Sequence, residues 1–205
     1  MPHRTRDEES RGSGVPRISI DYFFMSKTDE AAHENPLVVM LDEATGEKYA
    51  RAVGRKGLGT QGEMDWLIKD MAEELKAWGH AGGNSGHIIL KSDGERSIVA
   101  VREALARYHG GKVIQESPPK GESQSNGAVE NAGKTVREFV RVLKEQVEEY
   151  ASISLECADT LVAWMVRWAA MMCSRYLVGT DGLTAHERRR GRKCEQPLAM
   201  FGEKV

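Results

Sequence analysis

Ile18-Ser-Ile-Asp-Tyr-Phe-Phe-Met25 is an apolar run with one carboxylate set into it. The run reads as a central β-strand, and Asp21 is the residue out of place in it. Burying a lone carboxylate costs several kcal/mol unless something compensates. Two further acids stand in comparable positions. Asp93 ends a second apolar run, His87-Ile-Ile-Leu-Lys-Ser-Asp93, and Glu130 closes Ser123-Gln-Ser-Asn-Gly-Ala-Val-Glu130, where a polar loop turns into a helix. Three such groups meeting at one point would repel one another by about 4 kcal/mol per pair at ~4 Å and an effective dielectric of ~20. Divalent cations relieve that repulsion, so the pattern argues for one site holding hard, oxygen-coordinated metal ions.

Outward from Asp21, strands are expected over 17–25, 36–42 and 47–53, the last two joined by a turn in which Gly46 supplies the awkward backbone angle. Met64, Leu67, Ile68, Met71, Leu75 and Trp78 recur at helical spacing, and the Gly-rich 79–86 leads into the strand that finishes at Asp93. Ile98, Val101, Leu105 and Tyr108 predict another amphipathic helix, and 112–115 a short fifth strand. A polar, mobile loop is expected over 117–125, then helices over 126–149 and 155–176. This order spells an α/β protein, a mixed five-stranded sheet covered by helices on both faces. Residues 1–14 read as a disordered tail, 15–178 as the core, and 179–205 as a basic extension.

The chain has 205 residues and a formal net charge of -2, so charge alone names no partner and nucleic-acid binding would need a local basic patch. Three cysteines without a CxxC pair favour a reducing, intracellular setting. No stretch of about 20 uncharged apolar residues exists, and the charged start is no secretory signal.

With 36 residues between Asp93 and Glu130, the order of acids and the segments Ile20-Asp21-Tyr22, Lys91-Ser-Asp-Gly94 and Ser123 to Glu130 resemble the DDE integrase core of retroviruses and long-terminal-repeat retrotransposons. Thr184-Ala-His-Glu-Arg-Arg-Arg-Gly-Arg-Lys193 and Phe201-Gly-Glu203 resemble the end of copia-type cores. The resemblance implies a ribonuclease-H-like fold and a metal-dependent polynucleotidyl transferase that processes and joins DNA ends in the nucleus. It implies Asp21, Asp93 and Glu130 as catalytic, metal-holding residues for two Mg²⁺ ions, with Mn²⁺ as a substitute. An isolated core is expected, without the zinc module that the family carries, and a dimer through the Trp-rich helix.

On the helix of Glu130, the side chains of Glu130, Lys134, Arg137 and Arg141 fall within roughly 60°. Lys134 and Arg137 would therefore project beside the acid, where they could grip phosphates, and their spacing matches the family's DNA-end contacts. Asn126 corresponds to a loop position that could touch bases, its plain alternative being a helix N-cap. The Arg188 to Lys193 run reads as a solvated basic segment, and Trp164, Trp168, Met171 and Met172 as core or subunit contact. Two other functions compete: a catalytically inactive, domesticated or fragmentary module for nucleic-acid binding or dimerisation, and a ribonuclease-H-type nuclease with Glu73 or Glu74 as its further carboxylate.

Overall fold

The computed structural model describes residues 14–60, 62–82, 87–117, 126–196 and 201–202. The expected tail, all but Gly14, and the expected mobile loop after Ser117 lie outside those residues, as does the Ser123-Gln-Ser125 part of the acidic signature.

Five strands, β1 (Arg17–Phe23), β2 (Leu37–Asp42), β3 (Lys48–Ala52), β4 (His87–Ser92) and β5 (Lys112–Glu116), form one sheet in the order β3-β2-β1-β4-β5. β1 is antiparallel to β2 and parallel to β4, so the sheet is mixed and β1 is central. The β2–β3 hairpin turns where Gly46 adopts φ +81°, the left-handed region that a side chain disfavours.

Successive residues of β1 face opposite sides of the sheet. Ile18, Ile20 and Tyr22 join Val38, Met40, Ile88 and Leu90 under two helices, α2 (Asp65–Ala77) and α3 (Arg96–His109), which contribute Leu67, Met71, Leu75, Val101 and Leu105. Each such fully buried side chain stabilises the fold by about 1.5–3 kcal/mol. The other face receives α4 (Gly127–Ala151) and α5 (Thr160–Tyr176), whose Val136, Val140, Val162, Met165 and Ala169 cluster with Leu37 and Ala50. Gly133 brings α4 close to β1, because a Cβ there would stand 3.3 Å from the Phe23 side chain. The architecture is the one the strand and helix order predicted.

Three local readings differ. A short helix, α1 (Lys27–Ala32), stands where none was expected, capped by Ser26, whose hydroxyl accepts from Asp29 N, and it buries no residue. The second long helix begins at Thr160 rather than 155, because Ser152 turns left-handed and Glu148 Oε1 accepts the Leu155 N–H at 2.7 Å. The basic run is not simply solvated. Its first three residues belong to α6 (Ala185–Arg190), started by a capping box between Thr184 and Glu187. Arg188 bonds Thr45 O and Asp181, and Arg189 bonds Glu47 and Ala77 O, so the first two arginines of the run fasten the chain to the β2–β3 hairpin and α2.

Candidate functional site

Asp21 pairs across the sheet with Val39, and residues opposite each other on antiparallel strands share a face. Val39 packs with Val129 and Ala132, so the face that carries Asp21 lies under the first turns of α4. Glu130 stands between those two anchors, exposed, in the first turn, where the helix dipole favours a negative charge. The β1–β4 ladder ends on Ile20 opposite Ser92. The next residues along the two chains are Asp21 and Asp93.

Two of the acids act on the third. Burial pushes the Asp21 carboxyl up to about 7, Asp93 and Glu130 push the same way, and the Tyr22 N–H and Lys56 oppose them. That N–H lies 2.8 Å from Asp21 Oδ1. Asp21 is thus an under-solvated acid surrounded by like charge, which ionises fully near neutral pH only if positive charge is supplied. Such a donor set has the chemistry of a hard-cation site. Among the described residues, however, no three His, Cys, Asp or Glu side chains form a ready-made ligand group. Asp93 and Glu130 stand in electrostatic range of Asp21 without closing into a cage around it.

Asp93 also shapes the backbone: its Oδ1 accepts from Glu95 N at 3.1 Å and starts the turn into α3. One carboxylate oxygen remains for other work, so the turn and a site role are compatible. Of the expected nucleic-acid contacts, Lys134 is exposed one turn beyond Glu130. Arg137 is half-buried and its Nη1 donates to Phe24 O at 3.3 Å, while Arg141 Nη2 donates to Met25 O at 3.3 Å. These two arginines tie the end of β1 to α4. Asn126 precedes the helix but makes no capping bond, and its buried Oδ1 has no partner among the described residues.

Two residues at this end went unread in the sequence. Lys56 Nζ lies 2.8 Å from Glu95 Oε2 and 5.4 and 5.3 Å from the ring centres of Tyr22 and Phe24, beside Asp21. Arg102, buried on α3, donates through Nη1 to Ser92 Oγ at 3.1 Å, Glu116 O at 2.7 Å and Ser117 Oγ at 2.7 Å. It clamps the ends of β4 and β5 together and so fixes where Asp93 starts. Glu74 sits at the other edge of the sheet, facing β3, and is absent from the groups that act on Asp21.

No protein-family profile and no curated protein matches the chain. Among solved structures it is similar to a chain in the cryo-EM structure of the simian T-cell lymphotropic virus intasome in complex with PP2A regulatory subunit B56 gamma. The TM-score is 0.59 at 11% sequence identity, over 93% of this chain and 60% of that one. At that identity the likeness shows the fold alone: this is an α/β, ribonuclease-H-like chain of integrase-like architecture. Among the described residues no helix is long and apolar enough to cross a membrane.

Proposed function

We propose that the chain is the catalytic core of a metal-dependent polynucleotidyl transferase of the retrotransposon integrase kind, which processes DNA ends and joins them to target DNA in the nucleus. One observation carries the reading: a half-buried acid on the central strand, whose charge is opposed by two acids from β4 and α4. Asp21, Asp93 and Glu130 would hold Mg²⁺, or Mn²⁺ in its place. When bound, a pair of such ions activates the attacking oxygen and stabilises the leaving one in an in-line displacement at phosphorus. Lys134, exposed beside Glu130, would hold a phosphate of the DNA end. Lys56 helps keep Asp21 ionised, and Arg137 holds β1 against α4 so that Asp21 and Glu130 keep their relative position. Asn126 would meet bases near the end of the strand.

The test is Mg²⁺- or Mn²⁺-dependent nicking and joining of terminal-repeat duplexes. Asp93→Asn should lower the rate by about a hundredfold to a thousandfold, the loss expected when one ligand of a several-kcal/mol electrostatic centre is removed. An activity indifferent to Asp93→Asn rejects the site. A second reading, a non-catalytic nucleic-acid-binding module, is favoured by the absence of a ready-made ligand group among the described residues. DNA binding with no response to divalent cations, by calorimetry, would select it.

A further inference from the structure

Cations stand in two settings in this molecule. Eight of them line a groove of about 1130 Å³ between β3, α5 and α6, around Trp164, which is 68% exposed. That is the face where a subunit contact through the Trp-rich helix is expected. Lys56 stands apart from them, in the connection between β3 and α2, and its charge acts on Asp21.

Lys56 is held on several sides. Its ammonium lies 3.1 Å from Glu95 Oε1 and 2.8 Å from Glu95 Oε2, so both carboxylate oxygens grip it. The rings of Tyr22 and Phe24, with centres 5.4 and 5.3 Å away, add the attraction of an aromatic face for a cation. Tyr22 is itself fastened to the loop, its hydroxyl accepting the Gly57 N–H at 2.9 Å. The Lys56 side chain is 22% exposed, so water and salt screen its charge only in part. Glu95 also reaches the second acid of the centre, because its backbone N–H donates to Asp93 Oδ1 at 3.1 Å. The Lys56–Glu95 pair is thus tied to Asp21 through charge and to Asp93 through a hydrogen bond.

We infer that Lys56 is a built-in counter-ion that restrains the affinity of the acidic centre for divalent cations. The inference rests on the proposed cation site and adds a control on its loading. A positive charge fixed beside Asp21 repels any divalent ion that the three acids hold, and the repulsion is felt because the group is partly withdrawn from water. The same charge keeps Asp21 ionised, so Lys56 prepares the ligand and penalises its occupant at once. Glu95 sets the balance, since it draws the ammonium toward α3 and cancels part of its field. The centre therefore loads at a higher free cation concentration than its acids alone would require. Were Lys56 only a strut between the loop and β1, its loss would loosen the acids and weaken cation binding, the opposite sign.

The experiment is a calorimetric titration of Mg²⁺, and separately of Ca²⁺, into the full chain at pH 8.5 without nucleic acid. Lys56→Met keeps an unbranched stem against the two rings and should bind either ion about tenfold more tightly than the parent. Lys56→Gln should tighten binding to a similar degree, so the outcome does not hang on the folding of one variant. Lys56→Arg keeps the charge and should bind as the parent does. Glu95→Gln, which unties the ammonium and removes a nearby negative charge, should bind more weakly. Raising the salt concentration should narrow the gap between Lys56→Met and the parent. Circular dichroism melts in chelator establish that each variant is folded. If folded Lys56→Met and Lys56→Gln bind the ions no more tightly than a parent that does bind them, the inference falls and the carboxylate reading stands. Equal tightening in Lys56→Arg has the same meaning. If the parent and both neutral variants bind neither ion, the carboxylate reading and the inference fall together.

Discussion

The carboxylate end of the sheet draws its three acids from three elements, β1, the end of β4 and the first turn of α4, whereas the groove at the β3 edge draws six of its eight cations from α5, α6 and the chain after them, with Lys48 and Arg51 added from β3. At the first, charge of one sign is concentrated where water is scarce, and Asp21 shows the strain in its raised pKa. At the second, cations stand in the open around a bare indole, and several are quieted by local partners such as Glu47 and Gln196. A site made by tertiary convergence stores electrostatic tension that a ligand can release. A site made by sequence-local clustering stores little and works through contact area and screening-sensitive attraction.

The largest difference between the two ends should appear in how stability depends on pH. Asp21 ionises near 3.8 when unfolded and near about 7 when folded, so folding retains a proton between those values. Its contribution is fully present below about 3.8, is lost as pH rises to about 7, and stays lost above. Discounted for partial exposure, the loss is of order 3 kcal/mol. Urea melts of the cation-free protein at pH 5 and pH 8, compared with Asp21→Asn, isolate it: the variant should lack this component and gain stability at the higher pH. Adding Mg²⁺ at pH 8 should stabilise the parent but not the variant. An identical pH slope in both would remove the tension from the acidic end.

The basic end should answer to a smaller, local change. Thr184→Ala deletes the cap of α6 and should lower stability by about 1 kcal/mol. Amide exchange should quicken over Ala185–Arg190 and leave the strands of the acidic end as they were. Exchange that quickens in β1 as well would mean that the two regions are coupled. The smallest effect is expected from Lys56→Met, which removes a cation that lowers the Asp21 pKa. The Asp21 titration followed by NMR should move to higher pH, sharpening the contrast, and a shift to lower pH would show that Lys56 acts through Glu95 instead.

Much of the acidic end was legible in the sequence because a carboxylate in an apolar run announces its own cost, and Ile18 to Met25 and His87 to Asp93 each carry one. The succession of strands and helices followed from apolar periodicity and turn residues, whereas the order of strands within the sheet, set by pairings between distant segments, did not. Lys56 was silent since its partner Glu95 lies 39 residues on, and its aromatic neighbours Tyr22 and Phe24 lie at the end of β1, more than thirty residues back. Arg102 was hidden in an amphipathic helix, where a buried arginine looks like a misplaced surface residue until the ends of β4 and β5 are seen around it. α6 did leave a signal, Thr184-Ala-His-Glu187, the spacing of a capping box, overshadowed by the arginines after it. Arg137 carries a contact the helical spacing could not announce: its Nη1 donates to the carbonyl of Phe24, 113 residues earlier in the chain.

The alternation along β1 has one more consequence. Ile20 and Tyr22 insert between the sheet and α2 and α3, while Asp21 and Phe23 look toward α4. Sliding β1 by a single residue against its neighbours would exchange the two sets, thrusting the acid into the layer of Leu67 and Leu105 and evicting Ile20. That mispaired chain would forfeit several kcal/mol through the misplaced charge alone. Asp21 thereby acts as a proofreading mark for strand alignment, and correctly paired β1 leaves its carboxylate on the face toward α4.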